Sequence, residues 1–256
     1  MNSDLQEGFI KLPNNWYDHL NITNEELTVL ALLYRNYLYY QSVSLCNIDM
    51  LCNYMYIDSN SNKRIVKSIL DIINSLLKKE LIVDIYNIHC ETIKIDDIVN
   101  KHYTFYAELT PPPENAFFIV KNIDIDNIFN YLKNTNIGKF NLIRYFIACR
   151  RVCSNESNFG YLTQSKLKRL ITDSKTVQRY NKILQDELHL IRYDNNYLTP
   201  DKHYCTTFIG SYEEKESFNK MLKFEVDRRG LIYTDKLISN TKRSVTQQIN
   251  NKSFNF

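Results

Sequence analysis

Apolar positions along this chain alternate between two rhythms. Long stretches repeat every three to four residues, as one face of a helix does, and short runs between them alternate as strands do. The clearest stretch runs through residues 163–197. An amphipathic helix is predicted over 165–171, then a polar turn at Thr172, Asp173 and Ser174, then a second helix over 175–187. On that second helix Val177, Tyr180, Leu184 and Leu188 share one stripe, while Lys175, Gln178, Arg179 and Lys182 face away from it. Ser174 is placed to cap the helix, its hydroxyl accepting from an orphan N–H of the first turn. A strand over 190–193, a turn at Asp194, Asn195 and Asn196, and a return strand over 197–199 complete a helix–turn–helix with a hairpin wing.

The same rhythm occurs earlier. A short extended segment at 8–11 ends at Pro13, and Trp16, Tyr17 and Leu20 form an apolar turn. Thr23 and Glu26 stand at capping-box spacing before a core helix predicted over 24–40. A short helix follows over 47–55, with Ile48, Leu51, Cys52 and Met55 inward. A longer one spans 62–79, with Val66, Ile69, Leu70, Ile73, Leu76 and Leu77 as its stripe. Strands over 81–86 and 92–95 are read as its hairpin. The segments align in order: GFIK with FFIVK, ELTVLALLY with FNLIRYFIA, LLKKELIV with ILQDELHL. Leu70, Ile73, Leu77 and Leu81 fall opposite Val177, Tyr180, Leu184 and Leu188.

These patterns predict a mainly α fold with small β-hairpins, an α+β chain of two tandem winged helix-turn-helix domains plus a C-terminal helix. The first domain is placed at 1–110 and the second at 117–210. Pro111, Pro112 and Pro113 favour a stiff extended connector over 111–116. In the second domain, helices are predicted over 124–133 and 140–152. Residues 211–229 carry one more helix with Phe218, Met221, Leu222 and Val226 inward and Gly230 as its stop, followed by a polar tail to residue 256.

Composition changes this picture little; charge distribution changes it more. The chain has 256 residues, 44% of them hydrophobic, enough for packed cores, and a formal charge of only +3. Residues 139–192 hold eleven Lys/Arg against four Asp/Glu, whereas residues 84–137 hold four Lys against eight acids. A basic second reader beside an acidic middle points to an anionic partner for the former. No apolar run is long enough for a membrane span, and MNSDLQEGF lacks the basic start and apolar core of a leader. The six cysteines form no C-x-x-C pair and read as reduced thiols of a cytoplasmic protein.

Catalytic patterns are thin. The chain has no phosphate-binding G-x-x-x-x-G-K-[ST] loop, no H-E-x-x-H, and no zinc-like cysteine spacing. His89-Cys90 and His203-x-Cys205 give only two ligands each. Asp96-Asp97 and Asp124-x-Asp126 read as caps and solvated loops. A non-enzyme without cofactor or metal is expected.

Two winged helices, a proline-bearing connector and no catalytic motif resemble plasmid and phage replication initiators of low-GC Gram-positive bacteria. GFIKLPNNWYDHLNITNEELTVLALLYRNY is similar in style to the start of Rep-type initiators. LLKKELIV resembles the end of the winged-helix reader in those proteins and in DnaD-like primosomal proteins. The resemblance implies binding to repeated double-stranded DNA sites at an origin, recruitment of host helicase or primosome proteins, and a homodimer on paired half-sites.

From the residues, the expected DNA contacts are Lys175, Thr176, Gln178, Arg179 and Lys182 on the second reader. Arg179 is the expected guanine contact, because its fork matches O6 and N7. Lys166, Lys168 and Arg169 on the preceding helix and Arg192 on the wing are expected to hold phosphates. Asn62, Lys63, Arg64 and Lys67 are the counterparts in the first domain. A transcription regulator with the same readers, or a helicase-loader-like adaptor built on the less basic first domain, remains open.

Overall fold

The computed structural model describes residues 8–14, 21–38, 40–58, 63–112, 114, 116–133, 135, 137–153, 157–163, 166, 174–201 and 206–234. The fold is α+β, two winged helices in tandem joined through one core. The first consists of β1 (Phe9–Pro13), α1 (Asn24–Arg35), β2 (Tyr37–Leu38), β3 (Val43–Cys46), α2 (Ile48–Tyr54), α3 (Lys63–Lys78), β4 (Ile82–Tyr86) and β5 (Phe105–Leu109). The second consists of β6 (Phe117–Lys121), α4 (Asn122–Leu132), α5 (Lys139–Val152), β7 (Phe159–Thr163), α6 (Ser174–Lys182), β8 (Ile191–Asp194), β9 (Tyr197–Leu198) and β10 (Thr206–Ser211). Helix α7 (Lys215–Arg229) and β11 (Ile232–Tyr233) follow. The helix expected over 165–171 falls, apart from helical Lys166, outside the described residues, as do Trp16, Tyr17 and Leu20.

The two sheets have the same plan. In the first, β3, β5 and β4 lie side by side with β2 at the edge; in the second the order is β7, β10, β8. Both return strands lie further along the chain than the turn signals suggested. Residues 92–95 do not pair back as a strand; Thr92 makes one isolated bridge to Tyr86, and β4 pairs with β5 instead. Likewise β8 pairs with β10, while the expected return strand at 197–199 contributes β9, which pairs with β11. The local turns exist: the Asn87 carboxamide accepts from the N–H groups of His89 and Glu91. They lose the strand because β5 and β10 bring inward apolar residues, Phe105, Ala107 and Leu109 in the first case and Ile209 in the second, and burial decides the pairing.

Helix α1 begins as expected, with Thr23 and Glu26 forming the capping box. It ends at Arg35 rather than near residue 40. Tyr37 beyond it belongs to β2, where it is buried and Leu38 points outward, and Tyr40 is an exposed turn residue. Helix α7 begins at Lys215, later than expected, and stops at Gly230, whose φ of 60° is the left-handed conformation glycine adopts without strain.

The two units meet through a local two-fold arrangement. β1 and β6 pair antiparallel with Lys11 opposite Ile119 at the centre and Phe9 opposite Lys121 at one end, Pro13 opposite Phe117 at the other. Helices α1 and α5 pack on each other, and the buried cluster runs without a break from Ile10 to Ile209. Polar ties cross the same interface. The Arg35 guanidinium pairs with Asp126 at 2.5 and 2.9 Å, Arg144 donates to the Ile22 carbonyl, and Arg151 Nε donates to the Asn14 carbonyl at 2.9 Å.

Candidate nucleic-acid interface

Helix α6 is held by its buried stripe. Val177, Tyr180, Asn181, Ile183 and Leu184 all turn inward. The Tyr145 hydroxyl of α5 donates to the Asn181 carboxamide oxygen at 2.6 Å, both side chains fully buried, and the Tyr180 ring lies 5.9 Å from that of Tyr145. Burial pushes the Tyr145 hydroxyl well above its ordinary pKa, so it stays a donor. The last turn, Ile183–Glu187, is a π-turn, which accommodates one extra residue within the helix.

What this leaves outside is a cationic face. Lys175, Arg179 and Lys182 are exposed, Gln178 is half-exposed, and together with Ile183 and Glu187 they line one open depression of about 350 Å³. Charge is polar along the helix: cations occupy Ser174–Lys182, and the acids Asp186 and Glu187 sit at its C-terminal end. The N-terminal half, with the positive end of the helix dipole, is therefore the part suited to an anion. Ser174 is itself the first residue of α6 rather than the residue before it. Thr176 is half-buried on the flank of this face.

The other expected contacts are placed less uniformly. Arg192 on β8 lies with its guanidinium 4.4 Å from the Tyr212 ring centre, and His189 packs on the same ring at 4.7 Å. Sequence reasoning passed over this His189–Tyr212–Arg192 stack, because only β8–β10 pairing brings Tyr212 beside Arg192. Lys166 lines a separate depression with Arg151, Tyr161 and Glu225. Lys168, Arg169, Asn62 and the Lys63 side chain fall outside the described residues.

In the first unit Arg64 and Lys67 are exposed on α3, but so is Asp71. Burial fixes which positions of α3 and α6 correspond. Ile69, Ile73 and Leu76 take the places of Val177, Asn181 and Leu184, and exposed Lys67, Asp71 and Lys78 those of Lys175, Arg179 and Asp186. This corrects the sequence alignment by one position, since apolar spacing alone set Leu70 against Val177. Beyond the π-turn the correspondence moves on by the one inserted residue, matching Glu80 (φ 57°) with His189 (φ 54°) and Ile82 with Ile191. Asp71 thus stands where the second unit has Arg179.

The polar support of α3 also differs. Glu26 of α1 is almost fully buried, yet it accepts from Ser75 Oγ at 2.6 Å and pairs with Lys79 Nζ at 2.6 Å. Burial pushes its carboxyl up, but the bonds from Lys79, Ser75 and the Thr23 N–H outweigh it and hold the pKa below the usual carboxylate value.

No group of three or more potential metal ligands lies together among the described residues. Asp97 accepts from the Lys94 N–H, Asp126 is taken by Arg35, and Cys46, Cys52, Cys149 and Cys153 are buried with burial raising each thiol pKa. No described helix is long and apolar enough to cross a membrane.

No family model matches the chain, and no curated protein sequence does. Among solved structures it is similar to the crystal structure of the Pi initiator protein in complex with iteron DNA. The likeness has 10% sequence identity and a TM-score of 0.48, covering 79% of this chain and 96% of that chain.

Proposed function

We propose that this protein binds double-stranded DNA in a sequence-dependent way through its second winged helix, acting as a plasmid or phage replication initiator. The observation that carries the reading is the α6 face: Lys175, Gln178, Arg179 and Lys182 brought onto one open surface of a helix anchored to α5. A helix of this kind fits the major groove, where the Arg179 fork pairs with guanine and the lysines meet phosphates. Lys166, Lys168, Arg169 and the wing residue Arg192 are the proposed further phosphate contacts. Origin repeats as the target, host helicase or primosome proteins as partners, and a homodimer on paired half-sites belong to the initiator role. A cytoplasmic location and no chemistry of its own go with it.

The first unit supports a second reading for itself. Asp71 at the position of Arg179 disfavours phosphate there, so α3 suits an adaptor role better than a second reader, with Arg64 and Lys67 as peripheral contacts. The test is a competition between duplex DNA from around the gene and random duplex. The reading expects tighter binding to the local DNA and loss of that preference, by about tenfold or more, in Arg179→Ala. Equal affinity for both duplexes would remove the sequence-reading claim and leave the adaptor.

A further inference from the structure

The outer faces of the two sheets correspond position by position. Register pairs Phe208 with Tyr161 and Asp194 in the second sheet, and Tyr106 with Leu45 and Tyr86 in the first. The same registers set Gly210 beside Phe159 and Arg192, and Glu108 beside Val43 and Asp84. In the second unit this face is covered over Phe159 and Phe208, both buried, while Tyr161 at the position of Leu45 stays 41% exposed. Helix α7 lays Phe218 and Leu222 against Phe159 and Phe208, and Arg229 over the Tyr161 ring at 4.1 Å. Gly210 is required for that fit, since a Cβ there would lie 2.5 Å from Phe218 Cδ2.

In the first unit no described element covers the corresponding face. Leu45 is 40% exposed and Leu38, on the adjoining edge strand, 46%. Val43, Tyr86 and Tyr106 are half-exposed, and none of them joins a buried cluster. The chemistry of the face also differs. Glu108 stands where the second unit has Gly210, taking the Tyr86 hydroxyl at 2.6 Å, and Asp84, brought into register by a bulge in β4 between Ile82 and Asp84, stands where it has Arg192. A Phe in the manner of Phe218 would meet the Glu108 side chain; a cation would be met by two carboxylates.

We propose that the outer face of the first sheet docks a basic amphipathic helix of a partner protein, its apolar stripe on Leu45, Val43 and Tyr106 and its Lys or Arg residues on Asp84 and Glu108. The proposal does not depend on DNA reading. A second copy of the chain is a poorer occupant, because an isologous contact through this face would bring two acidic patches, each with Asp84 and Glu108, into one interface with no basic residue of the face to offset them.

The test uses the full chain and a labelled synthetic helix with Leu at i, i+3, i+4 and i+7 spacing and Lys between, beside a scrambled peptide of the same composition. Fluorescence anisotropy is expected to show saturable binding at least about tenfold tighter for the amphipathic order. That margin is expected to vanish in Leu45→Ser and, separately, in Glu108→Lys, both at exposed or half-exposed positions. Equal binding of the two peptides, or binding unchanged in both variants, would overturn the proposal. So would a dimer in sedimentation that Leu45→Ser converts to monomer, which would assign the face to a second copy.

Discussion

Helices α3 and α6 occupy the same place in two copies of one plan, and they present different faces. Each is tied to its unit's core helix by a polar bond at the buried face: Glu26 to Ser75 and Lys79 in the first, Tyr145 to Asn181 in the second. Each turns a matching stripe inward. The difference is confined to what faces out, and its centre is one position, Asp71 against Arg179. A scaffold fixed by burial leaves outward residues free to diverge, so function in this fold is read from the exposed face rather than the core.

The largest effect is expected from making α6 resemble α3. Arg179→Asp should lower duplex affinity about a hundredfold or more, since it removes an interaction worth about 1–3 kcal/mol and adds a like-charge repulsion. Filter binding or anisotropy at fixed salt would measure it, and a change under about threefold would mean α6 does not face DNA.

Next is the buried carboxylate under α3. Glu26→Gln should cost about 2 kcal/mol, because Lys79 and Ser75 are deprived of a charged acceptor. The folded-state pKa of Glu26 lies below its unfolded value, so its contribution is present above the ordinary carboxylate pKa and is lost as pH falls through the lowered one. Denaturant melts between neutral and acid pH should therefore be steeper in pH for the native chain than for Glu26→Gln. Duplex affinity of the variant at neutral pH should be unchanged, which separates the two units.

Tyr145→Phe should cost about 1 kcal/mol of stability by leaving the Asn181 oxygen without its donor. Here affinity should also fall, by a few-fold, because the bond sets α6. A less stable variant with native affinity would show that the tether does not position the reader.

The smallest effect is expected from the reverse exchange. Asp71→Arg should raise affinity by less than about threefold, as one exposed cation on a face without Gln178 and Lys182 equivalents adds only weak, screened attraction. A large gain would mean that α3 already lies along DNA.

Much of this was legible beforehand. The stripes of α2, α3, α5 and α6 follow helical spacing closely, and the Thr23–Glu26 box announced the start of α1. The return strands were not legible, because Asn87 and the Asp194–Asn196 turn give strong local signals while the strands that win, β5 and β10, are selected by packing partners distant in sequence. The pairing of β1 with β6 is of the same kind: Ile10 and Val120 read as strand residues, but nothing local says they face each other. The cation face of α6 was visible from spacing. The significance of Asp71 was not, since apolar spacing alone set Leu70 against Val177, and only burial shifted the register by the one position that puts Asp71 opposite Arg179.

The most direct test of the asymmetry is the salt dependence of duplex affinity in two triple variants: Lys175, Arg179 and Lys182 changed to Ala, and Lys63, Arg64 and Lys67 changed to Ala. Removing one phosphate-bound cation lowers the slope of log K against log salt by about 0.9. The account predicts a clear fall in slope and affinity for the α6 set and little change for the α3 set. Equal falls for both would contradict it and make the two units joint readers.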